Sequence, residues 1–207
     1  MHGSPFPYQG PLAPEQVRGR EDLIADLATR LADHRVTALL GPRRFGKTST
    51  LRRVLFDLQG VSTDAVWIDL YELTSLADLA ARIDAGLDAV RGPLRQALDR
   101  IASALEVSLG TISVALRGRA SDRPDPALTI AALLRTMVTA AEGHSLVVAF
   151  DEFSGVASVD GAAGLLRTGL QHHYQNLGIV FAGSEPSLMR TLFTDQAQPF
   201  YGQADLV

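Results

Sequence analysis

Val36-Thr37-Ala38-Leu39-Leu40-Gly41-Pro42-Arg43-Arg44-Phe45-Gly46-Lys47-Thr48-Ser49 reads as a short apolar strand that ends at a glycine and turns into a helix. Residues 41–48 fit G-x-x-x-x-G-K-[ST] without a mismatch. Gly41 and Gly46 permit backbone conformations that a Cβ would obstruct, so successive N–H groups can turn inward around an anion. The helix that follows adds its N-terminal amides and the positive end of its dipole. In this pattern Lys47 reaches the β and γ phosphates as a point charge, while the Thr48 hydroxyl ligates Mg²⁺. Four constrained positions coincide in a chain of this size with a chance below ~1%. The stretch therefore predicts a nucleotide-binding loop made of Gly41, Pro42, Arg43, Arg44, Phe45, Gly46, Lys47, Thr48 and Ser49. Arg43 and Arg44 can touch phosphate, although solvent or a neighbouring element is the default for such loop side chains. Arg52 and Arg53, one turn on, read as a solvated helix face.

A second apolar run, Leu146-Val147-Val148-Ala149-Phe150, ends in Asp151-Glu152. Alone, such a pair could cap the next segment. Downstream of a full phosphate loop it reads as the Walker B pattern, with Asp151 holding Mg²⁺ directly or through its waters. Glu152 is then the general base that orients and deprotonates the attacking water. Lys47 and Glu152 are thus the candidate catalytic residues, and Thr48 and Asp151 the candidate metal ligands. Ser184 follows the next apolar run, where a polar side chain can sense the γ-phosphate or open the following helix. Asp69 reads as a turn cap that can also lie near the metal. His172 and His173 are adjacent on an expected helix, so their rings diverge and cannot share one metal.

Working outward, strands are expected over 36–40, 65–70, 146–150, 178–182 and 203–207. Helices are expected over 20–34, 47–59, 75–90, from Pro93 to 105, 127–142, 161–176 and 186–193. Ser75 and Asp78 stand in capping-box spacing ahead of the third helix. Val107, Leu109, Ile112, Val114 and Leu116 suggest a small hairpin over 106–117 turning at Gly110, followed by a loop over 121–126. Four prolines in residues 1–16, with Phe6 and Tyr8, predict an extended arm that packs on a core spanning 17–207. Strands alternating with helices imply an α/β fold, a parallel sheet covered on both faces.

Composition sets the outer bounds. The 207 residues are 46% hydrophobic and 20% charged, enough for one buried core. The absence of cysteine excludes disulfides, zinc-thiolate sites and cysteine nucleophiles. A net charge of −4 argues against a broad basic face for nucleic acid. With no secretory signal and no apolar run of membrane-spanning length, the chain reads as cytoplasmic, with no membrane partner.

GPRRFGKTS, the long helical insertion after the second strand, LVVAFDEF and GIVFAGSEPSLM together resemble a prokaryotic AAA+ ATPase. The nearest relatives are the AAA-type ATPases of archaea and actinobacteria, allied to STAND signalling ATPases. Val17-Arg18-Gly19-Arg20-Glu21 resembles the box that lies near the adenine in that family. Pro199-Phe200-Tyr201-Gly202 is similar to the family motif before the fifth strand. The resemblance implies a three-layer P-loop fold of ASCE type with strand order 5-1-4-3-2, and ATP with Mg²⁺ as the bound species. ATP is favoured over GTP because no N-K-x-D base-reading motif is present. Gln203 stands where the family has arginine, and the chain stops at Val207 inside the expected fifth strand, ahead of the family's helical lid. Three functions follow as expectations. The first is Mg²⁺-dependent ATP hydrolysis coupled to a conformational change, with a homo-oligomer or a protein effector as partner. The second is a nucleotide switch or scaffold with negligible turnover. The third is a DNA-associated module.

Overall fold

The computed structural model describes residues 10–59, 63–104, 109–110, 124–142 and 145–207. Five strands form one sheet: β1 (Val36–Leu40), β2 (Asp64–Asp69), β3 (Leu146–Asp151), β4 (Leu177–Gly183) and β5 (Asp205–Leu206). Their order is β2-β3-β4-β1-β5 with every pair parallel, which is the expected 5-1-4-3-2 order read from the other edge. Seven helices flank the sheet among the described residues. They are α1 (Glu21–Ala32), α2 (Lys47–Gln59), α3 (Leu76–Asp88), α4 (Pro93–Ala104), α5 (Pro126–Ala141), α6 (Ala162–Leu170) and α7 (Pro186–Thr194).

Strand side chains alternate between the two faces, and that alternation sorts the core into two layers. Val147, Ala149, Val180 and Ala182 pack with Leu27 and Leu31 of α1 and with Leu51, Val54 and Leu58 of α2. Their sequence neighbours Val148, Phe150, Ile179 and Phe181 face the opposite layer, with Leu79 and Ile83 of α3 and Leu133 and Met137 of α5. Strands β3 and β4 are buried along their whole lengths, as expected for central strands covered on both faces. Under the carboxyl ends of these strands Phe150, Phe153, Phe181, Phe193 and Phe200 form one aromatic cluster, with Phe153 and Phe181 centroids 4.3 Å apart. This apolar floor anchors the residue that directly follows Glu152.

Helix ends follow local chemistry. Asp125 Oδ1 accepts from the Ala127 and Leu128 amides at 2.7 and 3.1 Å, with Pro126 as the first residue of α5. Ser75 Oγ accepts from the Asp78 amide at 3.1 Å, while Asp78 Oδ2 takes the Thr74 amide instead of completing the box on Ser75.

The helix expected over 161–176 is a correction. It stops at Leu170, because His173 and Asn176 donate to the Leu170 and His173 carbonyls in tight turns, each at 2.9 Å. His172 and His173 therefore lie in the turns that lead into β4, not on a helix. A 3-10 segment at Phe153–Ser158, absent from the sequence reading, carries the chain away from β3. The hairpin expected over 106–117 lies outside the described residues except for Leu109 and Gly110. So do residues 1–9 of the arm, residues 121–123 of the loop, and His144.

Gly86 sits in the last turn of α3, where an added Cβ would meet the Trp67 carbonyl oxygen of β2 at 2.6 Å. Alanine gains about 1 kcal/mol of helix propensity there, but the crowding costs more, for a net loss of about 1–2 kcal/mol. Gly86→Ala is thus expected to lower the urea midpoint. An unchanged or raised midpoint would contradict the close packing of α3 on β2.

Candidate functional site

The site is assembled at the carboxyl ends of β1, β3 and β4, where crevices of parallel sheets hold ligands. From β1 the 41–46 turn leads into α2 at Lys47. Two of its residues take left-handed backbone conformations, Gly46 at φ 76° and Arg44 at φ 64°. Lys47 is 7% exposed, and its ammonium donates to the Gly41 and Pro42 carbonyls at 2.7 and 3.1 Å. Burial pushes the Lys47 pKa down, and the nearby Glu152 and Asp151 carboxylates oppose that shift.

Asp151 ends β3 at 4% exposure. Its Oδ2 accepts from the Thr48 hydroxyl at 2.8 Å and its Oδ1 from the Glu152 amide at 3.1 Å. The two expected metal ligands are thus in direct contact across 103 residues of sequence. Burial raises the Asp151 pKa, with the Thr48 hydrogen bond working against it. Between the ordinary carboxyl pKa and the raised one, the folded chain holds a proton that the unfolded chain has lost. Stability contributed by this group therefore falls as pH rises through that window. Asp151→Asn removes the penalty and is expected to raise the thermal midpoint of the nucleotide-free chain at pH 7 by about 2–4 °C. The gain should vanish below about pH 4. Equal midpoints at both pH values would contradict it.

Glu152 has φ 51° and ψ 42°, a left-handed conformation that costs a residue with a Cβ about 1 kcal/mol or more. Its Oε2 accepts from the Ser184 hydroxyl at 2.6 Å and from the Ser184 amide at 3.3 Å. Ser184 is buried at the end of β4, and the residue that caps α7 is Glu185. Opening that helix is therefore not what Ser184 does; it holds the Glu152 carboxylate.

These groups border an open cavity of about 620 Å³, with Arg44, Lys47, Thr48 and Glu152 in its lining. The remaining wall comes from Gly46 and Ser49 and, on the arm, from Gly10, Pro11 and Leu12. The arm lies along α2, where the Leu12 amide donates to Ser49 Oγ at 3.0 Å and Arg53 donates to the Pro14 carbonyl at 3.2 Å. Arg53 is thereby tied to the arm and to Asp57, and Arg52 lies over the Trp67 ring, so neither is a merely solvated side chain. No local pattern of residues signals either the Leu12–Ser49 or the Ser184–Glu152 contact. Phe45, 59% exposed, carries the Arg20 guanidinium 5.7 Å from its ring centre, beside a second open cavity of about 470 Å³. Asp69 caps its own turn, accepting from the Tyr71 amide at 2.9 Å.

Among solved structures the chain is similar to a Walker-type ATPase of Pyrococcus abyssi, 24% identical with a TM-score of 0.67, over 98% of this chain and 56% of that one. It is also similar to the Orc1 protein of Aeropyrum pernix in complex with DNA, 16% identical with a TM-score of 0.56, over 91% and 44% of the two chains. For Cdc6p from Pyrobaculum aerophilum the identity is 14% and the TM-score 0.52, over 98% and 48%. These likenesses show a shared fold, the α/β P-loop fold built on a parallel five-stranded sheet. The chain spans about half the length of these structures. No protein-family model matches the chain, and no curated protein matches it in sequence. In this sheet β4 lies between β1 and β3, which brings Ser184 between the phosphate loop and the two acids.

Proposed function

We propose that this chain binds ATP together with Mg²⁺ at the 41–48 loop and hydrolyses the β–γ phosphoanhydride bond. The observation that carries the reading is the convergence of Thr48, Asp151, Glu152 and Ser184, from three strand ends, in one hydrogen-bonded group beside the cavity that Lys47 also lines. The donor set suits Mg²⁺, which binds hard oxygens, takes one or two protein ligands and keeps its waters. Thr48 and Asp151 offer a hydroxyl and a buried carboxylate already in contact. Among the described residues no group of three or more His, Cys, Asp or Glu could cage a metal. When bound, Mg²⁺ supplies charge neutralisation at the β- and γ-phosphate oxygens.

The chain's own residues then divide the work. Lys47 exchanges its carbonyl contacts for phosphate oxygens, and the N-terminus of α2 adds its dipole toward the same anion. Glu152 accepts a proton from water as the water oxygen attacks the γ-phosphorus, and the β–γ bridging bond breaks with its electron pair leaving on ADP. Ser184 fixes the Glu152 carboxylate and releases or turns it when a γ-phosphate enters.

The Ser184–Glu152 bond also favours a second reading, a nucleotide switch with negligible turnover, because the general base is held on another side chain. A DNA-associated role draws on the DNA-bound Orc1 neighbour alone, and a net charge of −4 gives it no broad basic face. Assembly with copies of itself or with a protein effector, and residence in the cytoplasm, belong to the same proposal. No helix among the described residues is long and apolar enough to cross a membrane.

Phosphate release by the purified chain with ATP, with and without Mg²⁺, tests the reading. Release that requires Mg²⁺ is the expected result. Saturable ATP binding with no release would favour the switch, and no binding would end both readings.

A further inference from the structure

Two consecutive arginines in the phosphate loop have different fates. The Arg43 guanidinium lies over the Tyr71 ring, 5.9 Å from its centre. Arg44 lines the cavity with Lys47, Thr48 and Glu152. No hydrogen bond, ion pair or ring contact engages Arg44 among the described residues, although most arginines near it are tied down. Arg44 also holds φ 64°, a backbone region that glycine occupies without strain and a residue with a Cβ does not. A strained non-glycine residue that leaves an unpartnered guanidinium on the wall of the cavity beside the phosphate loop is poorly explained by stability. A guanidinium matches phosphate oxygens through two parallel N–H donors, and it stays charged at any physiological pH.

We propose that Arg44 is a catalytic arginine acting within its own chain, donating to the β–γ bridging oxygen as negative charge builds on it. The inference rests on the ATPase reading above. It goes further in naming a charge-stabilising arginine that the chain itself carries. Arg44 transfers no proton: the water proton goes to Glu152, the new bond joins water oxygen to γ-phosphorus, and the electron pair of the broken bond leaves with ADP. Its donors strengthen as negative charge builds on the leaving oxygen, so its effect belongs to the rate more than to binding.

The test measures ATP affinity, single-turnover hydrolysis and thermal midpoint for the wild type, Arg44→Gly, Arg44→Ala and Arg44→Lys. Arginines supplied to phosphoryl transfer contribute about 10³–10⁵ in rate, and one exposed to solvent is expected near the low end. Arg44→Ala and Arg44→Gly should slow hydrolysis by about 10³-fold while ATP affinity changes by about threefold or less. Arg44→Lys keeps the charge without the fork and should recover part of the rate. Arg44→Gly also relieves the left-handed strain, so its thermal midpoint should rise by about 2–4 °C as its rate falls. A merely structural Arg44 could not produce opposite signs in stability and rate. Hydrolysis per bound ATP that is unchanged in Arg44→Gly would overturn the proposal, as would equal losses of affinity and rate. A wild type that binds ATP without turning it over also overturns it. A wild type that fails to bind ATP overturns the parent reading instead.

Discussion

Glu152→Gln is expected to bind ATP and Mg²⁺ as the wild type does and to release phosphate about 10²–10⁴-fold more slowly. The substitution is nearly isosteric, and the glutamine carbonyl oxygen can still accept from the Ser184 hydroxyl that now lies 2.6 Å from Oε2. The apolar support beneath is unchanged, because Phe153 remains in the aromatic cluster. What the amide cannot do is take a proton from water. Single-turnover phosphate release, read beside an equilibrium ATP titration on the same protein, separates the two effects. A rate within about threefold of wild type would remove Glu152 from the role of base and return the Asp151-Glu152 pair to a structural part.

Lys47→Ala is expected to weaken ATP binding by about 10²–10⁴-fold. Hydrogen bonds to charged groups are worth about 1.5–3 kcal/mol each, and the ammonium that now serves the Gly41 and Pro42 carbonyls has two such donors to turn toward phosphate. The free chain should not lose stability in proportion. Lys47 is 7% exposed and burial depresses its pKa, so its charge opposes folding in the absence of ligand. The pattern to look for is a large loss of affinity with a thermal midpoint that holds or rises. Equal affinity for the wild type and Lys47→Ala would break the phosphate-loop assignment.

The parts of this site that the sequence displayed are those written locally. Gly41, Gly46, Lys47 and Thr48 stand within eight positions and mark the strand-to-helix turn, although its left-handed residues are Gly46 and Arg44 and not Gly41. Strand β3 announced itself through an unbroken apolar run closed by two acids, since a strand buried on both faces has no polar alternation to confuse the reading. Strand order came from family likeness, because periodicity fixes which segments are strands but not which ones neighbour each other. The contacts that complete the site could not be read at all. Ser184 meets Glu152 across 32 residues and Leu12 meets Ser49 across 37, distances at which the chain topology alone decides proximity. The overextended helix at 161–176 failed for a related reason. Its last residues are polar enough for a helix surface, and the tight turns that replace it are set by the need to enter β4 at Leu177. Arg43 and Arg44 are chemically identical in sequence, and Tyr71 at the end of β2 separates them in space.

The central claim is that the 41–48 loop grips the β and γ phosphates of ATP, and displacement of labelled ATP from the wild-type chain in Mg²⁺ tests it most directly. Saturable binding that ADP displaces and AMP does not is the predicted result, since AMP keeps the base and sugar but lacks the phosphates the loop would hold. Displacement by AMP as effective as by ADP, or no saturable binding, would contradict it.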